Sequence, residues 1–108
     1  MATVSHPEPN VLALEGEIDL HESPTIREAF TSLIEQKQQQ IVVDLNGVNY
    51  IDSSGLAVLI DAMQRIQAYG GKFALYGLRE SVRTVFEIAR LDQVFRIFPD
   101  KAIALGAV

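Results

Sequence analysis

The spacing of apolar residues changes period several times along the chain, and each change marks an element. Thr3 to His6 suits a short edge strand, Pro7-Glu8-Pro9-Asn10 reads as a turn, and Val11-Leu12-Ala13-Leu14 is an apolar run that fits an inner strand. Ser23-Pro24 then reads as a helix cap with proline at the first helical position. Ile26, Ala29, Phe30, Leu33 and Ile34 follow at the three-and-four spacing of one buried helix face, which ends at Lys37-Gln38-Gln39-Gln40. Ile41 to Leu45 predicts a second buried strand. Leu56, Leu59, Ile60, Met63 and Ile66 predict a second helix over about 54–69, closed by Gly70-Gly71. Phe73 to Tyr76 is the next strand, Val82, Val85, Phe86 and Ala89 mark a third helix, Phe95 to Phe98 a last strand, and Asp100 to Val108 a short terminal helix.

The predicted order is thus β-β-α-β-α-β-α-β-α. Strands alternating with helices demand an α/β fold with a mostly parallel, mixed sheet of about five strands and right-handed crossovers. Sites in such sheets form at the carboxyl ends of strands. The loop holding Asp19 follows the second strand and the loop holding Ser53 follows the third, so both emerge at that end.

Two stretches there carry candidate chemistry. Ile51-Asp52-Ser53-Ser54-Gly55-Leu56 places two hydroxyls at the start of a helix, where backbone N–H groups lack partners and the helix dipole is positive. Such an end can hold a hydroxyl, a carboxylate or a phosphoryl group, although Asp and Ser are also ordinary caps. Gly16-Glu17-Ile18-Asp19-Leu20-His21-Glu22 reads as a loop crowded with Glu17, Asp19 and Glu22, though a polar connection would look the same.

Composition narrows the classes. With 108 residues, 48% apolar, 21% charged and four prolines, the chain is expected to form one compact domain over 1–108. It has no cysteine, no apolar stretch of membrane-spanning length and no basic-then-apolar leader pattern, so a soluble cytoplasmic protein without direct membrane insertion is expected. A formal charge of −5 argues against nucleic acid as a partner. Its distribution matters more: residues 1–54 hold two basic and nine acidic side chains, residues 55–108 seven and five. Ser53 belongs to the acidic half, which favours a basic partner surface, although a solvated face would look the same.

A small serine hydrolase using Ser53 with His21 and Asp19 is the enzymatic alternative. The nucleophile elbow of such enzymes needs small residues two before and two after the serine; Gly55 complies and Ile51 does not. No glycine-rich phosphate cradle or metal-ligand spacing occurs. The expectation is therefore no catalysis and no cofactor or metal of the chain's own.

Asp44-Leu45 followed by Val48-Asn49-Tyr50-Ile51-Asp52-Ser53-Ser54-Gly55-Leu56 resembles the signature of the STAS family, and more narrowly of bacterial anti-sigma factor antagonists. Gly16-Glu17-Ile18-Asp19 and Tyr69-Gly70-Gly71-Lys72 match two further motifs in family order, so the resemblance covers roughly residues 11 to 98. It implies helices, four in all, packed mainly on one face of the sheet. It implies Ser53 as phosphoacceptor and a binding partner that is both anti-sigma factor and GHKL-type serine kinase. A metal-dependent serine phosphatase would reverse the modification, and ATP and Mg²⁺ would belong to these partners. Partner contacts are expected at Asp19, Glu17, Asp52, Ser54, Gly55 and Leu56. The chain departs from the family around the third helix, where Arg79-Glu80 replaces the usual Ser-Pro cap and Arg90 the usual glycine, implying a less sharply ended helix. Some relatives keep the fold without a phosphorylation switch, as subunits of lipid- or anion-transport complexes.

Overall fold

The computed structural model describes residues 2–106. Five strands form one sheet in the order of the chain: β1 (Ala2–Glu8), β2 (Val11–Ile18), β3 (Gln40–Ile51), β4 (Lys72–Tyr76) and β5 (Ile97–Phe98). The β1–β2 hairpin is antiparallel and every later pairing is parallel, joined through α1 (Ser23–Glu35), α2 (Ser53–Ala68) and α3 (Glu80–Ile88). A terminal helix, α4 (Lys101–Gly106), closes the described chain; positions 107 and 108 of the expected helix lie outside it.

Alternation along the strands sorts the side chains onto two faces. Leu12 and Leu14 of β2, Ile41, Val43 and Leu45 of β3, and Phe73 and Leu75 of β4 meet the apolar stripes of α1, α2 and α3 in one core. Phe30, Leu59, Ile66 and Phe86 enter it with almost no exposure. The intervening residues Val42 and Tyr76 face the other way, where Ala104 of α4 covers them. Three helices thus share one face and the short fourth sits on the other.

Both inner strands run further than their apolar residues foretold. Gly16-Glu17-Ile18, expected in a loop, continues β2, and β3 continues from Leu45 through Asn46-Gly47 to Ile51. Pairing survives through two register shifts, between Ala13 and Glu15 and between Gly16 and Glu17. Gly47 permits the close approach there, since a Cβ on it would stand 2.6 Å from Glu15 Cγ. Polar residues fill this extension, which is why a search for apolar runs stops short of it. β1 likewise extends through Pro7 to Glu8, tolerable because it is an edge strand whose register shifts between Ser5 and Glu8.

At the carboxyl side two expectations are corrected. The helix α3 ends sharply without a glycine: Ala89 caps it and Arg90 takes the left-handed conformation itself, φ 60° and ψ 23°. The last strand is only two residues long because Phe95 is drawn into the core, its ring 5.6 Å from Phe86 and 6.1 Å from Phe73 by centroids. A 3-10 turn, Leu91–Gln93, delivers it there.

Candidate functional site

The site is built where β2 and β3 end side by side. Ile18 is paired with Ile51, and the backbone N–H of Asp52 donates to the Ile18 carbonyl at 3.2 Å. Asp19 and Asp52 are therefore the next residues on two adjacent strands, and the register itself brings the two loops together.

Asp52 turns strand into helix. Its backbone is extended (φ −112°, ψ −174°), as an N-cap requires, and its carboxylate Oδ1 accepts from the N–H groups of Ser54 at 2.9 Å and Gly55 at 3.1 Å. The helix begins one residue earlier than the apolar spacing indicates, so Ser53 is its first residue instead of lying at or before the cap. Ser53 is exposed and Ser54 half-buried. Because Asp52 engages two of the otherwise unpartnered N–H groups, the helix end is not an open anion cradle. It is an exposed hydroxyl at the positive end of a dipole, with a carboxylate fixed beside it.

Gly55 and Leu56 lie beneath this surface. Gly55 is buried, and Leu56, 9% exposed, belongs to the main core. They shape the site from below.

Asp19 closes its own loop. Its Oδ1 accepts from the N–H of His21 at 3.0 Å and of Glu22 at 3.1 Å, while its carbonyl accepts from the N–H of Ser23 at 3.0 Å and the Ser23 hydroxyl at 2.8 Å. Ser23, expected as the cap of α1, is instead its first residue; Glu22 occupies the cap position without a side-chain cap bond and Pro24 follows in the first turn. Glu17 is exposed on β2, paired across the ladder with Tyr50.

The apolar members of this surface escaped the sequence reading. Leu20 is 68% exposed and Tyr50 49%. The signal was present: Leu20 is a large apolar residue inside a polar connection, out of phase with any stripe.

Around the third helix, Arg79 holds the N-cap position without a side-chain cap bond. Its Nε donates instead to the carbonyl of Asn46 at 2.7 Å, tying the β4–α3 connection to β3.

Among the described non-glycine residues only Lys37 and Arg90 have positive φ, so Ser53 sits in ordinary helical backbone and not on a strained elbow. Among the described residues no group of three or more His, Cys, Asp or Glu is placed to hold a metal ion. No helix among them is long and apolar enough to cross a membrane.

Comparison with known proteins identifies relatives of this chain and of its fold. The anti-sigma-B factor antagonist of Bacillus subtilis (strain 168) is 32% identical over 84 residues, 78% of this chain and 76% of that protein. The solved anti-sigma factor antagonist from Mycobacterium paratuberculosis superposes with a TM-score of 0.89 at 24% identity, covering 100% of this chain and 94% of the other. The Bacillus cell fate determinant SpoIIAA, solved in its phosphorylated form, gives a TM-score of 0.70 at 20% identity over 99% and 98% of the two chains. The family model of the STAS domain matches residues 1–104, and the chain belongs to that family.

Proposed function

We propose that this chain is an anti-sigma factor antagonist: a binding module that, with Ser53 unphosphorylated, holds an anti-sigma factor and so frees a sigma factor. The observation that carries the reading is the exposed Ser53 hydroxyl at the start of α2, flanked by the Asp52 carboxylate and by the Asp19 loop in register. The antagonist names of relatives at about a third identity, and a phosphorylated structural neighbour, support it.

Phosphorylation at Ser53 would add close to two negative charges and three strong acceptors. The helix dipole tolerates them, so the fold is kept. With Asp52 already engaging the Ser54 and Gly55 N–H groups, the phosphoryl group projects outward, where it repels or desolvates a surface docked on the acidic end. A loss of about 2–4 kcal/mol weakens binding roughly 30- to 1,000-fold, enough for a switch. The partner is a GHKL-type serine kinase that is also the anti-sigma factor, and a metal-dependent serine phosphatase resets the state. ATP and Mg²⁺ act on the kinase. Asp19, Glu17, Asp52 and Ser54 meet the partner; Gly55 and Leu56 hold the surface in shape.

Mass spectrometry of fragments after kinase treatment tests this reading. Phosphate is expected on Ser53. Ser53→Ala should bind without being modified, Ser53→Asp should bind weakly, and Ser54→Ala should still be labelled. Phosphate on Ser54 in the wild-type chain, or undiminished labelling of Ser53→Ala, would overturn the assignment. A chain carrying no phosphate in its own cell, yet found with transporter subunits, would point to the transport role instead.

A further inference from the structure

Five large apolar side chains among the described residues are strongly exposed: Leu20, Tyr50, Ile88, Val94 and Ile103. Isolated cases are ordinary on a protein surface. Leu20 and Tyr50 differ in their placement. Tyr50 immediately precedes the Ile51–Ile18 pair and Leu20 follows Ile18 by two residues, so both stand at the strand ends that carry Ser53.

Leu20 is also held in position. The Asp19 carboxylate takes the N–H groups of His21 and Glu22, and the Asp19 carbonyl takes those of Glu22, at 3.2 Å, and Ser23. Leu20 therefore projects from a turn braced on both sides. A polar residue would fit that turn equally well, since the bracing uses no atom of the leucine side chain. Fixing the backbone that carries an exposed apolar side chain lowers part of the entropy cost of burying it later. The carboxylates nearest them are Glu17, opposite Tyr50 on the ladder, Asp19 and Glu22 on either side of Leu20 in the chain, and Asp52 two residues beyond Tyr50, so the strand ends that carry the two apolar residues are acidic.

We propose that Leu20 and Tyr50 are the apolar anchors with which this chain docks on its serine-kinase partner, beside Ser53. The inference rests on the function proposed above. It adds a division of labour: the anchors supply affinity, and the charge at Ser53 decides whether that affinity is realised. The partner is expected to present an apolar socket rimmed by Lys or Arg, complementary to this acidic end.

The test uses the full unphosphorylated chain and the purified GHKL-type serine kinases of its source organism, one at a time, with ADP so that no transfer occurs. Dissociation constants are measured for wild type, Leu20→Ala, Tyr50→Ala and the control Ile103→Ala on α4. Each anchor variant should bind about 10- to 100-fold more weakly, and the control should match wild type. The deficit should persist between about 0.05 and 0.5 M salt, where a loss of surface charge would be screened. With ATP, the anchor variants should show a raised KM and an unchanged kcat for Ser53 phosphorylation. Melting temperatures should fall by a few degrees at most, because neither side chain belongs to the buried core. A wild-type complex that tolerates Leu20→Ala and Tyr50→Ala overturns this inference alone. Absence of any wild-type complex with those kinases overturns the proposed function and the anchors with it.

Discussion

A Cβ added to Gly55 would stand 2.6 Å from the carbonyl oxygen of Ile18, closer than real contacts of that kind allow. The same carbonyl accepts the N–H of Asp52, so helix α2 starts hard against the end of β2. Ile51 Cγ1, at 2.7 Å from that Cβ, blocks the other way out.

Gly55→Ala should therefore destabilise the fold although alanine is the better helix former by about 1 kcal/mol. Crowding against backbone costs about 1–3 kcal/mol beyond that gain, and the melting temperature should fall by about 5–15 °C. The displaced α2 would carry Ser53 with it, so phosphorylation should slow as well. Thermal melts and kinase assays on the same preparation check both, and an unchanged melt would show that the helix start shifts freely.

Asp19 has two separable roles, one in its charge and one in its oxygen. Asp19→Asn keeps an acceptor for the His21 and Glu22 N–H groups but removes the charge. It should slow association with the kinase a few-fold, a gap that closes in high salt, with the fold intact. Asp19→Ala removes the acceptor too and loosens the turn under Leu20. It should cost about 1 kcal/mol of stability and also speed dissociation. Equal behaviour of the two variants would show that the turn does not depend on this carboxylate.

The fold was legible where burial is regular. The stripes Ile26-Phe30-Leu33 and Leu59-Met63-Ile66, the runs 41–45 and 73–76 and the Gly70-Gly71 stop all fell where apolar spacing put them. Legibility failed where backbone pairing is not accompanied by burial. Glu15 and Glu17 are exposed yet paired across the ladder with Gly47 and Tyr50, and the exposed Asn46 and Asn49 of β3 fall at its two register shifts. At the site, side chains were named from sequence, but their bonds were not. Whether Asp52 or Ser53 caps α2, and whether Asp19 faces a partner or its own loop, depends on geometry that residue type leaves open. Phe95 was misread for a related reason: an apolar residue near a strand can as well belong to the core beneath the preceding helix.

Arg90 carries a strain that a glycine would not. Its φ of 60° places a side-chain-bearing residue in the left-handed region, at a cost of about 1–2 kcal/mol. Glycine loses about 0.5–1 kcal/mol more backbone entropy on folding. Arg90→Gly should thus stabilise the chain by about 0.5–1 kcal/mol, raising the melting temperature by a few degrees. A fall in melting temperature would mean that the arginine side chain contributes more than its backbone conformation costs.

Tyr76 makes stability depend on alkaline pH. Buried under α4, its phenol is pushed up to about 12, first by desolvation and then by the charge and hydrogen bond of Asp44, with Glu8 adding to the effect. In the unfolded chain a tyrosine ionises near 10. The folded state therefore keeps a proton that the unfolded state gives up. The stabilisation is complete below pH of about 10 and is lost as pH rises toward about 12, a difference on the order of 2–3 kcal/mol. Tyr76→Phe removes the donor to Asp44, whose carboxylate keeps the N–H and side-chain amide of Asn46 at 2.8 and 2.9 Å. The variant should lose about 1–2 kcal/mol at neutral pH and lack the phenol's share of the alkaline slope. Denaturant midpoints of both proteins between pH of about 7 and 12 isolate that share as a difference, since other alkaline groups titrate in both. The two curves should converge above about pH 10; parallel curves would show that the Tyr76 proton is not coupled to folding.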